Sequence, residues 1–205
     1  MLRLIAFITM VIDHVGFVFF PGEIILRIIG RIAFPIFAYS LAKGYERTRD
    51  VKKYAIRLFI IAIISQVPYS FLFHVKYLNI CFELLLGLLT LFAIDKLKDK
   101  WKQVGVISLA LALSEILHLE YGMYGILMVL IFSIKNKPIH VFAWFLALSL
   151  AGTYIFKMHP IQAYSIIGTV SILLLNKFDF KLPKWINYGF YPIHLVILLL
   201  IEKFI

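Results

Sequence analysis

Charge is scarce in this chain of 205 residues: Asp, Glu, Lys and Arg make up 16% of it, and hydrophobic residues 62%. A soluble domain carries about 25% charged and 45–50% apolar residues, so a fold that keeps its apolar side chains from water is excluded at this length. Acids are the rarer sign, 11 against 21 Lys and Arg, for a formal net charge of +10. Cysteine occurs once, at Cys81. No intramolecular disulfide is possible, and a buried apolar packing role is expected for that thiol. Absent too are an HxxxH or HExxH pair, a glycine-rich phosphate loop and a serine elbow, so no metal site, P-loop or serine triad is expected. No internal repeat, low-complexity stretch or linker stands out. The first apolar segment has no small-residue cleavage site and carries Asp13 and His14, so it is expected to remain as a span and not to be removed as a signal peptide.

What fills the chain instead is a series of apolar windows, such as 58–73 and 142–156, that are apolar on every side. That pattern marks membrane spans and not striped surface helices. The expected fold is all-α: a polytopic transmembrane helical bundle of about nine segments (eight to ten), forming one domain over residues 1–205. The segments fall near 2–20, 24–45, 51–73, 79–97, 102–118, 122–134, 139–156, 162–176 and 186–204. The sixth and eighth are short for a crossing, which takes ~20 residues. Basic residues sit in alternate loops: Lys43 to Arg57, Lys96 to Lys102, Lys135 with Lys137, and Lys177 to Lys184. Lys76 and Lys157 are the exceptions. The positive charge is therefore read as topology and not as nucleic-acid binding. The positive-inside rule places the N-terminus in the cytoplasm and the C-terminus outside, in the cytoplasmic (inner) membrane.

Ionisable groups inside spans are costly and tend to face a bundle interior or a wet cavity. Asp13 and His14 lie about two-thirds along the first segment. Adjacent side chains on a helix point about 100° apart, so one is expected to react while the other orients or pairs. Arg27 and Arg31, four apart, share one face of the second segment, which returns antiparallel after Pro21-Gly22. A charged Asp13 close to that face is expected, as a structural ion pair, a catalytic element or both. His194 is a second intramembrane histidine, following Pro192. It is expected nearer the inner half, with His14 nearer the outer, and the proline is expected to free a carbonyl for its ring N–H. Asn79, Glu83, Gln66 and Glu115 are further polar intrusions, each readable as glue between helices.

These residues fall in an ordered set of motifs: Ile12-Asp13-His14-Val15-Gly16; Arg27 to Ala38, with Gly30-Arg31-Ile32-Ala33-Phe34-Pro35 at its centre; Gln66-Val67-Pro68-Tyr69; Asn79-Ile80-Cys81-Phe82; Tyr121-Gly122-Met123-Tyr124-Gly125; and Phe190-Tyr191-Pro192-Ile193-His194-Leu195. Over essentially its whole length the sequence resembles the TraX family of membrane proteins, named for the acetylase of conjugative F-type pilin. The resemblance implies acyl transfer, with acetyl-CoA as co-substrate, no tightly bound cofactor, and an amino or hydroxyl acceptor on a peptide, glycan or lipid. His14, Asp13 and His194 are the catalytic candidates. Arg27, Arg31, Asn79, Glu83, Tyr121 and Tyr191 are the substrate-binding candidates, with the arginines available to CoA phosphates or a developing oxyanion. Two other readings use the same residues: a proton-coupled transporter, since such groups also build relays, and a non-catalytic membrane assembly partner.

Overall fold

The computed structural model describes residues 1–134, 138–156, 158–175 and 183–204. Lys135, Lys137, Lys157, Lys177 and Lys181, used above to assign sides, lie outside the described residues. The elements are α1 (Leu2–Phe19), α2 (Ile24–Gly30), α3 (Ala33–Arg47), α4 (Val51–Phe73), α5 (Ile80–Lys96), α6 (Lys100–Ile116), α7 (Gly122–Ser133), α8 (Pro138–Tyr154), a 3-10 turn (Pro160–Ser165), α9 (Ile166–Leu175) and α10 (Lys184–Phe204). The expected second segment is thus two helices. Pro35 has no N–H to give to the Arg31 carbonyl and its ring crowds that oxygen. The chain breaks there, and the Arg31 and Ile32 amides close tighter turns onto Ile28 and Ile29.

By length and composition, four stretches among the described residues are suited to crossing a membrane: Leu2–Phe19, Ile24–Arg47, Val51–Phe73 and Trp185–Phe204. That is fewer than the nine expected. Gly122–Ser133, Ile139–Tyr154 and Pro160–Leu175 are apolar but shorter. Periodicity registers an apolar helix without registering whether lipid or protein covers it, and α7, buried over most of its length, is largely covered by protein.

Helix α3 is the hub, packed against α1, α5, α7 and α9. Ala33, Ala38 and Ala42 are buried on it, and small residues let neighbouring backbones approach closely. Helix α10 returns to lie against α4 and α1, which brings the end of the chain back to its beginning. The outward faces are apolar. Ile56, Phe59, Ile60, Ile63, Ile64, Val67 and Phe71 on α4, and Ile193, Val196, Ile197, Leu200 and Ile201 on α10, are exposed, while the opposite face of α4 buries Leu58, Ala62, Tyr69 and Leu72. An apolar exterior around an interior holding acids and histidines is the pattern of a protein solvated by lipid.

Candidate active site

The short turn after α1 folds α2 back against it, and the closeness of the two depends on Gly30. A methyl group at that position would overlap the carboxylate and Cβ of Asp13. With that space open, Asp13 reaches both arginines. Arg31 Nη2 donates to Oδ1 and Oδ2 at 2.7 Å each, and Arg27 Nη1 lies 2.9 Å from Oδ2. Arg27 Nη1 also donates to the Asp13 carbonyl at 3.1 Å. The expected contact between Asp13 and the arginine face is present. Arg31 is otherwise committed: Nε donates to the Arg27 carbonyl and Nη1 to Gln162 Oε1. Arg27 keeps donors in reserve, with its guanidinium 4.8 Å over the Phe17 ring and its side chain 23% exposed, against 14% for Arg31. Of the two, Arg27 is the one able to receive an anion. Removing a single partner from such a buried set costs ~3–5 kcal/mol, so loss of function in an Asp13 or Arg31 variant would not by itself separate stability from chemistry.

His14 points elsewhere. Its Nδ1 lies 2.9 Å from His194 Nε2, and His194 Nδ1 lies 2.9 Å from the Phe190 carbonyl oxygen. A carbonyl only accepts, so His194 Nδ1 carries the proton. In the neutral ring Nε2 is then bare and must accept from His14 Nδ1–H. The chain of bonds therefore fixes both tautomers and leaves the lone pair of His14 on Nε2, which has no hydrogen-bond partner among the described residues. Both rings are buried, at 8% and 7% exposure, and the Phe73 ring stands edge-on to His14 at 4.8 Å.

This arrangement corrects two expectations. The histidines do not divide between inner and outer halves. His194 lies near the middle of α10, and the packing of α10 on α1 brings its ring to His14. Asp13 pairs with the arginines, one of the two parts expected of it, and His194 fixes the His14 tautomer. Finally, the carbonyl that Pro192 cannot serve is that of Tyr188, four residues back, whereas the His194 ring bonds to Phe190.

Around this centre Tyr121 stacks on Phe34 with ring centroids 4.1 Å apart, within electrostatic reach of Arg27 and Arg31. Tyr191 is buried against His194, ring centroids 5.5 Å apart, and its hydroxyl has no partner among the described residues. Asn79 caps α5: Oδ1 accepts from the Cys81 amide, while Nδ2 donates to the Ala62 carbonyl and Gln66 Oε1. Glu83 is fully buried; Oε2 accepts from the Tyr121 amide at 3.2 Å, and Gly125 leaves room for Oε1. Both thus support the frame on which Tyr121 and the start of α5 are mounted.

Two residues at the centre were not singled out as site residues from the sequence. Gln162, in the 3-10 turn, meets Arg31, and its Nε2 is buried without a partner among the described residues. Glu120 faces Tyr69, Arg31 and Asp13, with Oε2 sealed and unpaired. A short bridge holds its backbone in place, with the Leu78 amide on the His118 carbonyl and the Glu120 amide on the Leu78 carbonyl. Unpaired buried polar atoms are uncommon and costly, at about 1–3 kcal/mol each. Among the described residues four of them, on Tyr191, Glu83, Glu120 and Gln162, fall around this one cluster.

The sequence as a whole matches the family model described as TraX protein over residues 1–202. The chain belongs to the TraX family. Its relatives include a probable fimbrial assembly protein, FimC of serogroup H1, from Dichelobacter nodosus, 26% identical over 235 aligned positions that take in all of this chain and 95% of the relative. An uncharacterized protein of Rickettsia prowazekii (strain Madrid E) is 38% identical over 73 residues, 36% of this chain and 27% of its own length. No solved structure matches. In this TraX chain, then, the Asp13–Arg27–Arg31 cluster and the two histidines sit side by side on α1, on α2 with the turn after it, and on α10.

Proposed function

We propose that this protein is a membrane-embedded acyltransferase that moves an acetyl group from acetyl-CoA to an amino or hydroxyl acceptor, with His14 as general base. The observation that carries the reading is the bare Nε2 of His14, its tautomer fixed by His194 and Phe190. The acceptor nitrogen or oxygen attacks the thioester carbonyl and passes its proton to Nε2; the C–S bond breaks, and Nε2 returns the proton to the departing thiolate. His194 positions the ring and shares the transient positive charge. Arg27, within electrostatic reach of His14 and held by Asp13, is the donor we assign to the oxyanion. Membership of the TraX family supports the chemistry. The Dichelobacter nodosus relative is named for fimbrial assembly, and the amino terminus of a pilin-like peptide is accordingly our proposed acceptor. We place the protein in the cytoplasmic membrane as a single domain, N-terminus inside and C-terminus outside, on the alternation of basic loops.

Purified protein incubated with labelled acetyl-CoA and an amino-terminal peptide tests the proposal. Wild type transfers label; His14→Ala, folded and inserted, loses ~10²–10⁴ of the rate. His194→Ala keeps a measurable fraction of the rate, and its pH–rate profile is displaced, which a merely structural role would not produce. Transfer by His14→Ala at the parental rate would sink the mechanism. Ion flux through reconstituted liposomes without acetyl turnover would point to a transporter.

A further inference from the structure

A cavity of about 560 Å³ lies apart from the Asp13 cluster, at the basic end of the molecule. It has Arg3, Arg47 and Arg57 among its lining residues and extends to Met10 on α1 and Tyr191 on α10. The volume is within the ~300–1,000 Å³ usual for small-molecule sites. Among the described residues no Asp or Glu lines it, and the ion pairs found there leave all three arginines without a carboxylate. Arg3 donates to Asn187 Oδ1 at 3.3 Å, and Arg57 lies over the Tyr188 ring at 5.7 Å. Both are held in position by neutral groups. Three like charges gathered at one pocket repel one another unless an anion joins them, and guanidinium groups suit phosphate through paired N–H donors.

The far end of the pocket carries a second signal. Arg3, Phe7 and Met10 line one face of α1, and His14 follows Met10 by four residues on that face, about 16 Å along the axis from Arg3 at 1.5 Å per residue. Tyr191 ends the cavity on α10, three residues before His194 and against its ring. The cavity is thus basic at one end, largely apolar along its length, and stops one helical turn short of both histidines.

We infer that this cavity is the donor site, and that it takes a nucleotide-linked acyl thioester with its phosphates on Arg3, Arg47 and Arg57 and its long, weakly polar arm running along α1 towards Tyr191. The inference rests on the acyl-transfer reading for its acyl end. It also moves phosphate recognition away from Arg27 and Arg31, where the sequence had suggested it. An anionic lipid headgroup offers similar phosphate chemistry but has no single arm bearing a thioester.

The full-length protein in nanodiscs of neutral phosphatidylcholine tests this by titration with desulfo-CoA, which binds without reacting. Wild type should bind; Arg47→Gln and Arg57→Gln should each weaken binding about tenfold or more, with Arg57→Lys intermediate and unchanged melting temperatures confirming the fold. With S-acetylpantetheine, which lacks the nucleotide and its phosphates, the same substitutions should shift KM far less than with acetyl-CoA. His14→Ala should bind desulfo-CoA as wild type does. Equal binding by well-folded Arg47→Gln and Arg57→Gln would overturn the site, as would loss of desulfo-CoA binding to competing phosphatidylglycerol with no arginine dependence. Arginine-dependent binding without acyl turnover would retain the site and discard the acyl-transfer reading; turnover indifferent to the arginines would do the reverse.

Discussion

Glu120 shows how much a single carboxyl depends on its surroundings. It lies in the loop before α7, half-buried, and burial pushes it up to about 7 against the opposing pull of the Tyr69 hydroxyl and Arg31. A carboxyl that holds its proton more tightly in the folded protein adds stability that is fully present below its unfolded value of 4.5, and that stability is lost as pH rises through 7. The melting temperature of the wild type should accordingly fall by about 2 °C or more between pH 5 and pH 8, relative to Glu120→Gln. Parallel thermal unfolding of the two proteins in detergent measures this, and matching pH profiles would contradict it. Nothing in the sequence sets Glu120 apart from any other loop acid. Its importance comes from the bridge between Leu78 and Leu119, a contact between two loops 41 positions apart, which no local pattern encodes.

At the scale of elements, the pairing of α1 with α2 could be read in advance and the pairing of α1 with α10 could not. The first needs only a tight turn after Phe20 and two arginines one helical turn apart, and Asp13 then has one place to go. The second joins residues 180 positions apart, and the hydrophobic period that identifies a helix carries no record of its neighbour. The same limit explains Asn79 and Glu83: their burial followed from polarity within apolar runs, while their partners, the Cys81 and Tyr121 amides, depended on which helix ends meet. The α1–α2 contact gives a sharp test. Gly30→Ala places a methyl group on the Asp13 carboxylate and should cost ~1–3 kcal/mol through overpacking. Gly105→Ala on α6, with nothing near its added carbon, should be neutral or stabilising by about 0.5–1 kcal/mol. Comparable melting temperatures for the two variants would show that the hairpin has more room than its geometry implies.

For the whole molecule the first question is which way it faces. With Cys81 replaced by alanine, Lys52→Cys and Lys98→Cys should react with a maleimide only after the membrane is made permeable, since both belong to the basic loops that we propose are cytoplasmic; labelling of either in intact cells would reverse the orientation. The number of crossings was the least legible feature. α5 and α8 have 17 residues each and α7 has 12, lengths that serve equally for a buried helix and for a tilted crossing. The two histidines have a further consequence on this scale. Their chain of hydrogen bonds ends on the Phe190 carbonyl, an oxygen that accepts a hydrogen bond but cannot pass a proton onward. A proton taken up at His14 therefore has no exit through His194 and must leave by the nitrogen at which it arrived. Catalysis on this plan is electrically silent. Cells could run it at any membrane voltage without draining the proton gradient, and a voltage clamp across a reconstituted bilayer should record no current as acetyl groups turn over.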